Sequence, residues 1–177
     1  MRGKFRLMVL FAALAVSIGL VAPAGATAAT PFCGITWGSL AKAGGALNSA
    51  QLTNVRAEQH ICFDRVVFDL QNAGNGYRVE YVNTVYSQGQ GVLLSVPGGA
   101  KLNVTLLEPS DEYGAPVGTN AADVAGFRTL RSVVYGGTFE GYTTFGIGTR
   151  AKLPFRVFVL TAPGGGGRIV LDVAHQW

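Results

Sequence analysis

From Leu52 onward the chain is a series of short runs in which apolar and polar residues alternate, the period of strands with one buried face. The clearest run occurs twice. Arg65-Val66-Val67-Phe68-Asp69-Leu70 returns late in the chain as Arg168-Ile169-Val170-Leu171-Asp172-Val173. Each reads Arg, β-branched, Val, large apolar, Asp, aliphatic. Val66, Phe68 and Leu70 fall on one face, Arg65, Val67 and Asp69 on the other, and the echo divides in the same way. A wholly apolar face backed by one rimmed with unlike charges describes a half-buried strand.

Other runs fill the interval. Leu52 to His60 alternates Leu52, Asn54, Arg56 and Glu58 against Thr53, Val55, Ala57 and Gln59. Asn72 to Gly76 is turn chemistry and leads into Tyr77 to Val85, the expected hairpin partner of the first echoed strand. Strands are also expected over Leu102 to Leu107, Leu130 to Tyr135, Phe139 to Ile147 and Pro154 to Leu160. Pro163 with Gly164 to Gly167 makes a hairpin loop into the closing strand. Gly38 to Asn48 is rich in small residues, with room for a helical turn after Ser39. Strands separated by turn signals, with no long amphipathic helix among them, predict an all-β fold, a small β-sandwich of antiparallel strands.

The first residues follow another pattern. Arg2, Lys4 and Arg6 precede an apolar run from Leu7 to Ala22, and Ala26-Thr27-Ala28 fits a small-x-small cleavage site. Residues 1–28 are therefore expected to be a secretory signal peptide cut after Ala28. Of the 14 basic residues, three belong to this leader, leaving 11 against 10 acidic ones. The basic character thus belongs to the leader, and the rest gives no reason to expect nucleic acid or a membrane as partner. Both cysteines, Cys33 and Cys62, lie in the exported part, where an even count reads as one disulfide. The expected organisation is a leader (1–28), an arm tied by the disulfide (29–61) and a β domain (62–177).

Several of these residues carry a resemblance. The block Cys62 to Leu70, the sequence Gly-Tyr-Arg-Val-Glu-Tyr at 76–81, Pro154-Phe155-Arg156-Val157-Phe158 and the ending Arg168 to His175 together resemble the AMIN-like domain of actinobacterial secreted proteins. The resemblance implies a small β-sandwich related to AMIN domains, which are cell-envelope targeting modules that associate with peptidoglycan. No binding residue is carried over from it.

Candidate chemistry is sparse. Ser39-Leu40-Ala41-Lys42 has the S-x-x-K spacing of penicillin-interacting enzymes, but neither S-D-N nor K-T-G accompanies it. Gly164 to Gly167 lacks the Lys-Ser/Thr of a phosphate-binding loop. His60 and His175 flank the echoed strands and can converge, with Glu58 or Asp64 as further ligands if a metal is held, though no metal-ligand spacing is present. Glu108, Asp111 and Glu112 read as a solvated acidic loop. The stretch with binding chemistry is Tyr135, Phe139, Tyr142 and Phe145 among glycines, with Arg128 and Arg131 nearby. Aromatic faces pack on sugar rings, and glycines let a backbone approach a ligand. The simpler account puts the phenylalanines in the core and makes the glycines bends. Residue parity puts Phe139 and Phe145 on one face and Tyr142 on the other.

The expectation from sequence is a secreted, non-enzymatic envelope-binding module without cofactor or metal. Its partner would be a cell-wall glycan such as peptidoglycan, or alternatively an exported protein such as a wall hydrolase. A small hydrolase built on His60 or His175 is the third reading.

Overall fold

The two Arg-to-Asp segments lie side by side in the computed structural model, which describes residues 31–161 and 163–177. The expected leader and its cleavage site at Ala28 lie outside the described residues. The segments form β3 (Phe63–Leu70) and β9 (Gly167–Ala174), antiparallel, with Arg65 opposite Asp172 and Asp69 opposite Arg168. Both copies begin with Arg and end with Asp, so reversing one against the other sets unlike charges opposite each other at both ends. β2 (Leu52–Gln59) pairs with β3 and β8 (Phe155–Thr161) with β9, giving a four-stranded sheet in the order β2-β3-β9-β8. The second sheet contains β1 (Lys42–Gly44), β4 (Tyr77–Val82), β5 (Ala100–Leu106), β6 (Leu130–Phe139) and β7 (Tyr142–Thr149), in the order β1-β4-β5-β7-β6. Every pairing among these strands is antiparallel. The fold is the expected all-β sandwich.

The core lies between the sheets. Phe68 and Leu70 of β3 and Leu171 and Val173 of β9 face Leu102, Val104 and Leu106 of β5 and Phe145 and Ile147 of β7, none more than 4% exposed. Phe68 and Phe145 bridge the layers with ring centroids 5.0 Å apart. Each large side chain so buried contributes about 1.5–3 kcal/mol by leaving water.

Strand order corrects three local expectations. The turn at residues 72–76 does not close a hairpin: β4 belongs to the other sheet and pairs with β5, so the chain crosses between layers there. The stretch after Ser39 is not helical, because residues 42–44 pair as β1 on the edge of β4. Phe139 to Ile147 is not one strand, since Glu140 and Gly141 take positive φ (50° and 81°) and turn β6 back into β7. The β2 register also shifts between Leu52 and Asn54, which lets Leu52 and Val55 both be buried despite their opposite parity.

Buried carboxylates fasten the fold at several points, within a sheet and between the layers. Asp172, fully buried, accepts from Arg65 Nε (2.7 Å) and Nη2 (3.0 Å) and from Arg156 Nε (2.8 Å). Asp64, also fully buried, accepts the backbone N–H groups of Thr129 (2.6 Å) and Leu130 (2.9 Å), tying the start of β3 to the start of β6. Glu108 is fully buried rather than solvated, and its Oε1 accepts from Gly76 N (3.0 Å) and Asn48 Nδ2 (2.7 Å). The Cys33–Cys62 disulfide holds the segment before β1 beside β3.

Two predictions follow from these fastenings. The bridge closes a loop with a sequence separation of 29 residues, and replacing both cysteines by alanine should lower stability by about 3–4 kcal/mol in urea denaturation. Burial pushes the Glu108 carboxyl above its ordinary value, against the opposing pull of the Gly76 and Asn48 hydrogen bonds. The folded state therefore holds that proton more tightly than the unfolded chain. The stabilisation from this group is full below the ordinary glutamate range and is lost as pH rises through the raised value. Compared with Glu108→Gln, the wild-type protein should lose stability as pH rises across that window, as read from denaturation midpoints. A constant difference between the two proteins would contradict it.

Candidate functional site

A bulge in β6 borders an open concavity. The register against β7 shifts between Tyr135 and Thr138, and Gly137 takes φ 94°, a conformation that side-chain-bearing residues rarely adopt. The extra residue reverses the side-chain parity. Tyr135 consequently points into the core, 4% exposed, while Phe139 points out and is 52% exposed. Opposite it lies the turn at residues 87–91, held by hydrogen bonds from Ser87 N to Val92 O and from Gln88 N to Gly136 O. Between turn and bulge is a cleft of about 550 Å³, lined on one side by Ser87, Gln88, Gly89 and Gln90. Ala115 and Val117 form an end wall, and Tyr135, Gly137, Thr138 and Phe139 complete it.

The lining combines an aromatic ring, aliphatic groups, carboxamides and hydroxyls, with no charged side chain among them. Gln88 Oε1 accepts from Thr144 Oγ1 at 2.8 Å, which fixes that carboxamide beside the bulge. Tyr135 Oη and Ser110 Oγ share a hydrogen bond of 2.7 Å beneath it. Burial pushes the phenol of Tyr113, stacked edge-on to Tyr135, above its ordinary value. This surface offers an apolar ring face and neutral hydrogen-bonding groups, the pair of features a sugar ring presents in complement.

The predicted aromatic set is thus divided. Phe139 and Tyr135 line the cleft. Tyr142 stands opposite Phe139 in the ladder and is half-buried. Phe145 is fully buried against Phe68 and Tyr135. The parity expectation for Phe139 and Phe145 fails because the two-residue turn at Glu140 and Gly141 pairs Phe139 with Tyr142, on the face opposite to Phe145. Arg128 and Arg131 lie at the opposite end of β6, some eight residues and roughly 25 Å along the strand from Phe139. There Arg131 caps the preceding turn, donating to the carbonyls of Phe127 (2.9 Å) and Leu130 (2.8 Å). The loop at residues 85–97 explains some of the glycines. Its Val85, Leu94 and Val96 pack with Val134 on the outer face of the sheet, and a Cβ at Gly148 would stand 1.7 Å from Pro97 O. The sequence did not mark Gln88, Gln90 or Val117 as site residues, since their meeting with Phe139 depends on the bulge.

The histidines lie at the same end of the four-stranded sheet, where His60 N donates to Phe63 O and His175 N to Cys62 O. His175 Nε2 lies 2.9 Å from Asp64 Oδ1 and its Nδ1 lies 3.1 Å from Ile61 O. Both nitrogens face acceptors of the chain, and the ring pins the segment after β9 to the start of β3. His60 stacks on Phe63 with centroids 4.6 Å apart. Among the described residues, no group of three or more His, Cys, Asp or Glu side chains is placed to hold a metal ion.

With the sandwich and its buried carboxylates in view, the comparison with known proteins is direct. The family model for the AMIN-like domain matches residues 50–175. The chain belongs to the AMIN-like domain family. The match begins just before β2 and ends at His175, so this AMIN-like domain includes both echoed strands, the Asp64 clasp and the cleft. The family points to a cell-envelope-related module. No curated protein matches the chain.

The bulge provides a check on how the AMIN-like domain shapes its cleft. A Cβ at residue 137 would meet Val117 Cγ2 at 3.0 Å on a backbone that disfavours it. Gly137→Ala should therefore cost about 1–2 kcal/mol in chemical denaturation. A variant as stable as the parent would show that the bulge relaxes freely.

Proposed function

We propose that this AMIN-like domain is a secreted, non-catalytic binding module of the cell envelope, and that the cleft beside Phe139 takes a neutral glycan of the wall such as peptidoglycan. The observation that carries the reading is an exposed phenylalanine ring set among glutamine carboxamides and a threonine hydroxyl, in a cleft without charged lining. The disulfide suits an oxidising location, and the leader expected over residues 1–28 supplies the route. Tyr135 supports the cleft from below. Tyr142, Phe145, Arg128 and Arg131 act through the scaffold in this reading.

A second reading has its own observation. Tyr86, Val92, Leu93 and Val117 are each more than half exposed, apolar surface suited to an exported protein partner.

One experiment separates the two. The domain lacking residues 1–28 is sedimented with walls stripped of protein and with walls that retain it. Sedimentation with stripped walls, weakened about fivefold to tenfold by Phe139→Ala, is the expected result, since loss of an aromatic contact costs about 1 kcal/mol or slightly more. Sedimentation confined to protein-bearing walls favours the second reading. A domain left in the supernatant with both would end the wall-binding proposal.

A further inference from the structure

The outer face of the four-stranded sheet carries a different chemistry from the cleft. The ladder aligns Glu58, Arg65, Asp172 and Arg156 in one row across the sheet. The next row is Arg56, Val67, Val170 and Phe158, and the next is Asn54, Asp69, Arg168 and Leu160. Val67 and Val170, 2% and 1% exposed, floor a depression of about 260 Å³. Arg56, Arg65, Arg168, Glu58 and Leu160 rim it.

The guanidinium groups are held in place from behind. Arg65 gives Nε and Nη2 to Asp172 and stacks over the rings of Phe63 and Phe158, 5.2 Å and 5.4 Å from their centroids. Arg56 Nε donates to Asp69 at 3.0 Å, and its Nη1 pairs with Glu58. Arg168 is less well matched. Its Nε is buried without a hydrogen-bond partner among the described residues, 3.5 Å from Asp69 Oδ1. A buried donor in that condition costs free energy until an acceptor reaches its group.

The charges of the face do not cancel. Arg56, Arg65, Arg156 and Arg168 stand against Glu58, Asp69 and Asp172, four positive charges against three negative. One positive charge is left for a ligand. A single carboxylate neutralises it, whereas a phosphate dianion would overshoot and meet Glu58 on the rim. The volume lies just below the range of about 300–1,000 Å³ typical for whole small-molecule ligands, which suits the end of a chain. The valine floor and Leu160 suit a small aliphatic group attached to that end.

We propose that this depression binds the terminal carboxylate of a peptide that ends in a small aliphatic residue. Arg65 and Arg168 grip the carboxylate in charge-assisted hydrogen bonds, and Val67, Val170 and Leu160 receive the aliphatic side chain. The site lies on a different sheet from the cleft and does not depend on glycan binding there.

The test uses N-acetyl-alanyl-alanine, its C-terminal amide and inorganic phosphate as probes of the folded domain. The readout is the NMR signals of the Arg65 and Arg168 Nε–H groups and of the Val67 and Val170 amides. The acid should shift these signals saturably, with the amide at least about tenfold weaker, the loss expected for a charge-assisted contact. Arg168→Gln should weaken the acid about tenfold. Leu160→Asp, at an exposed side chain outside the ion pairs, should weaken it comparably by repulsion. Phe139→Ala should leave it unchanged, so failure here and failure of wall-glycan binding are separately visible. Equal response to acid and amide, no saturable response to the acid, tighter binding of phosphate, or indifference to Leu160→Asp would each overturn the proposal.

Discussion

The register of the four-stranded sheet rests on one buried carboxylate. Asp172 has no access to water and is tolerable there because Arg65 and Arg156 approach it from the strands on either side. A slip of one residue in either pairing would turn Asp172 away from the arginine across that pairing and send the apolar set of one strand to the wrong face. The symmetry of the repeat adds to this constraint. Because each copy runs from Arg to Asp, the antiparallel pairing sets unlike charges opposite each other at both ends, with Asp69 between Arg56 and Arg168 at the far end. Fixing that register aligns Phe68 with Ile169 in the ladder and presents Phe68 to Phe145 across the core. The second sheet is therefore positioned by the first.

Asp64 and Glu108 then set how the layers are joined. Each is a carboxylate without solvent that accepts backbone N–H groups where a strand begins or a loop crosses. Neither interaction is interchangeable with apolar packing, because a deleted acceptor would strand buried donors at a cost of about 1–3 kcal/mol each. The two outer faces are left unequal. Over β6 and β7 the loop at residues 85–97 adds its own apolar cluster, and the cleft forms where that cover ends at the bulge. Among the described residues the other sheet carries no comparable apolar cluster on its outer face and is faced instead with arginines and aromatic rings.

The repeated strands were legible because their period is strict and their apolar face unbroken. The pairing of Cys33 with Cys62 was legible because there were two cysteines to pair. What the sequence concealed were the points where one inserted residue changes parity. Tyr135 and Phe139 read as one face until the Gly136-Gly137 bulge is known, and Leu52 and Val55 read as opposite faces until the shift in β2 is seen. Glycine pairs mark many turns, so nothing local announced this pair as a bulge. Glu108 was hidden for another reason: an acid beside a polar loop has the same composition whether it faces water or accepts from Gly76 and Asn48. The crossing of the chain from β3 to β4 brings Gly76 to it, and the segment between β1 and β2 brings Asn48. Site geometry was lost with the same information, since Gln88 and Phe139 are distant in sequence and meet through the bulge.

Under the proposed function, the difference in chemistry between the two surfaces bears on how such a small domain would hold an envelope polymer. The cleft beside Phe139 is open and neutral, and the depression over Val67 and Val170 is smaller and cationic. Neither buries enough of a ligand to give high affinity alone, since the freedom lost on association is charged against each contact. A polymer that repeats neutral rings and carries short acidic chain ends changes this arithmetic. Engagement at one surface raises the local concentration of groups able to reach another, on the same domain or on a neighbouring one, provided the spacing permits it. Under that condition two weak sites of unlike chemistry discriminate better than one strong site. A neutral glycan without acidic ends, or an acidic peptide without glycan, satisfies only half of the surface. The arginine-faced sheet on which the sandwich is registered would then serve recognition with the same side chains that fix the fold. Arg65 is the residue at which the two roles meet, held by Asp172 and facing the depression.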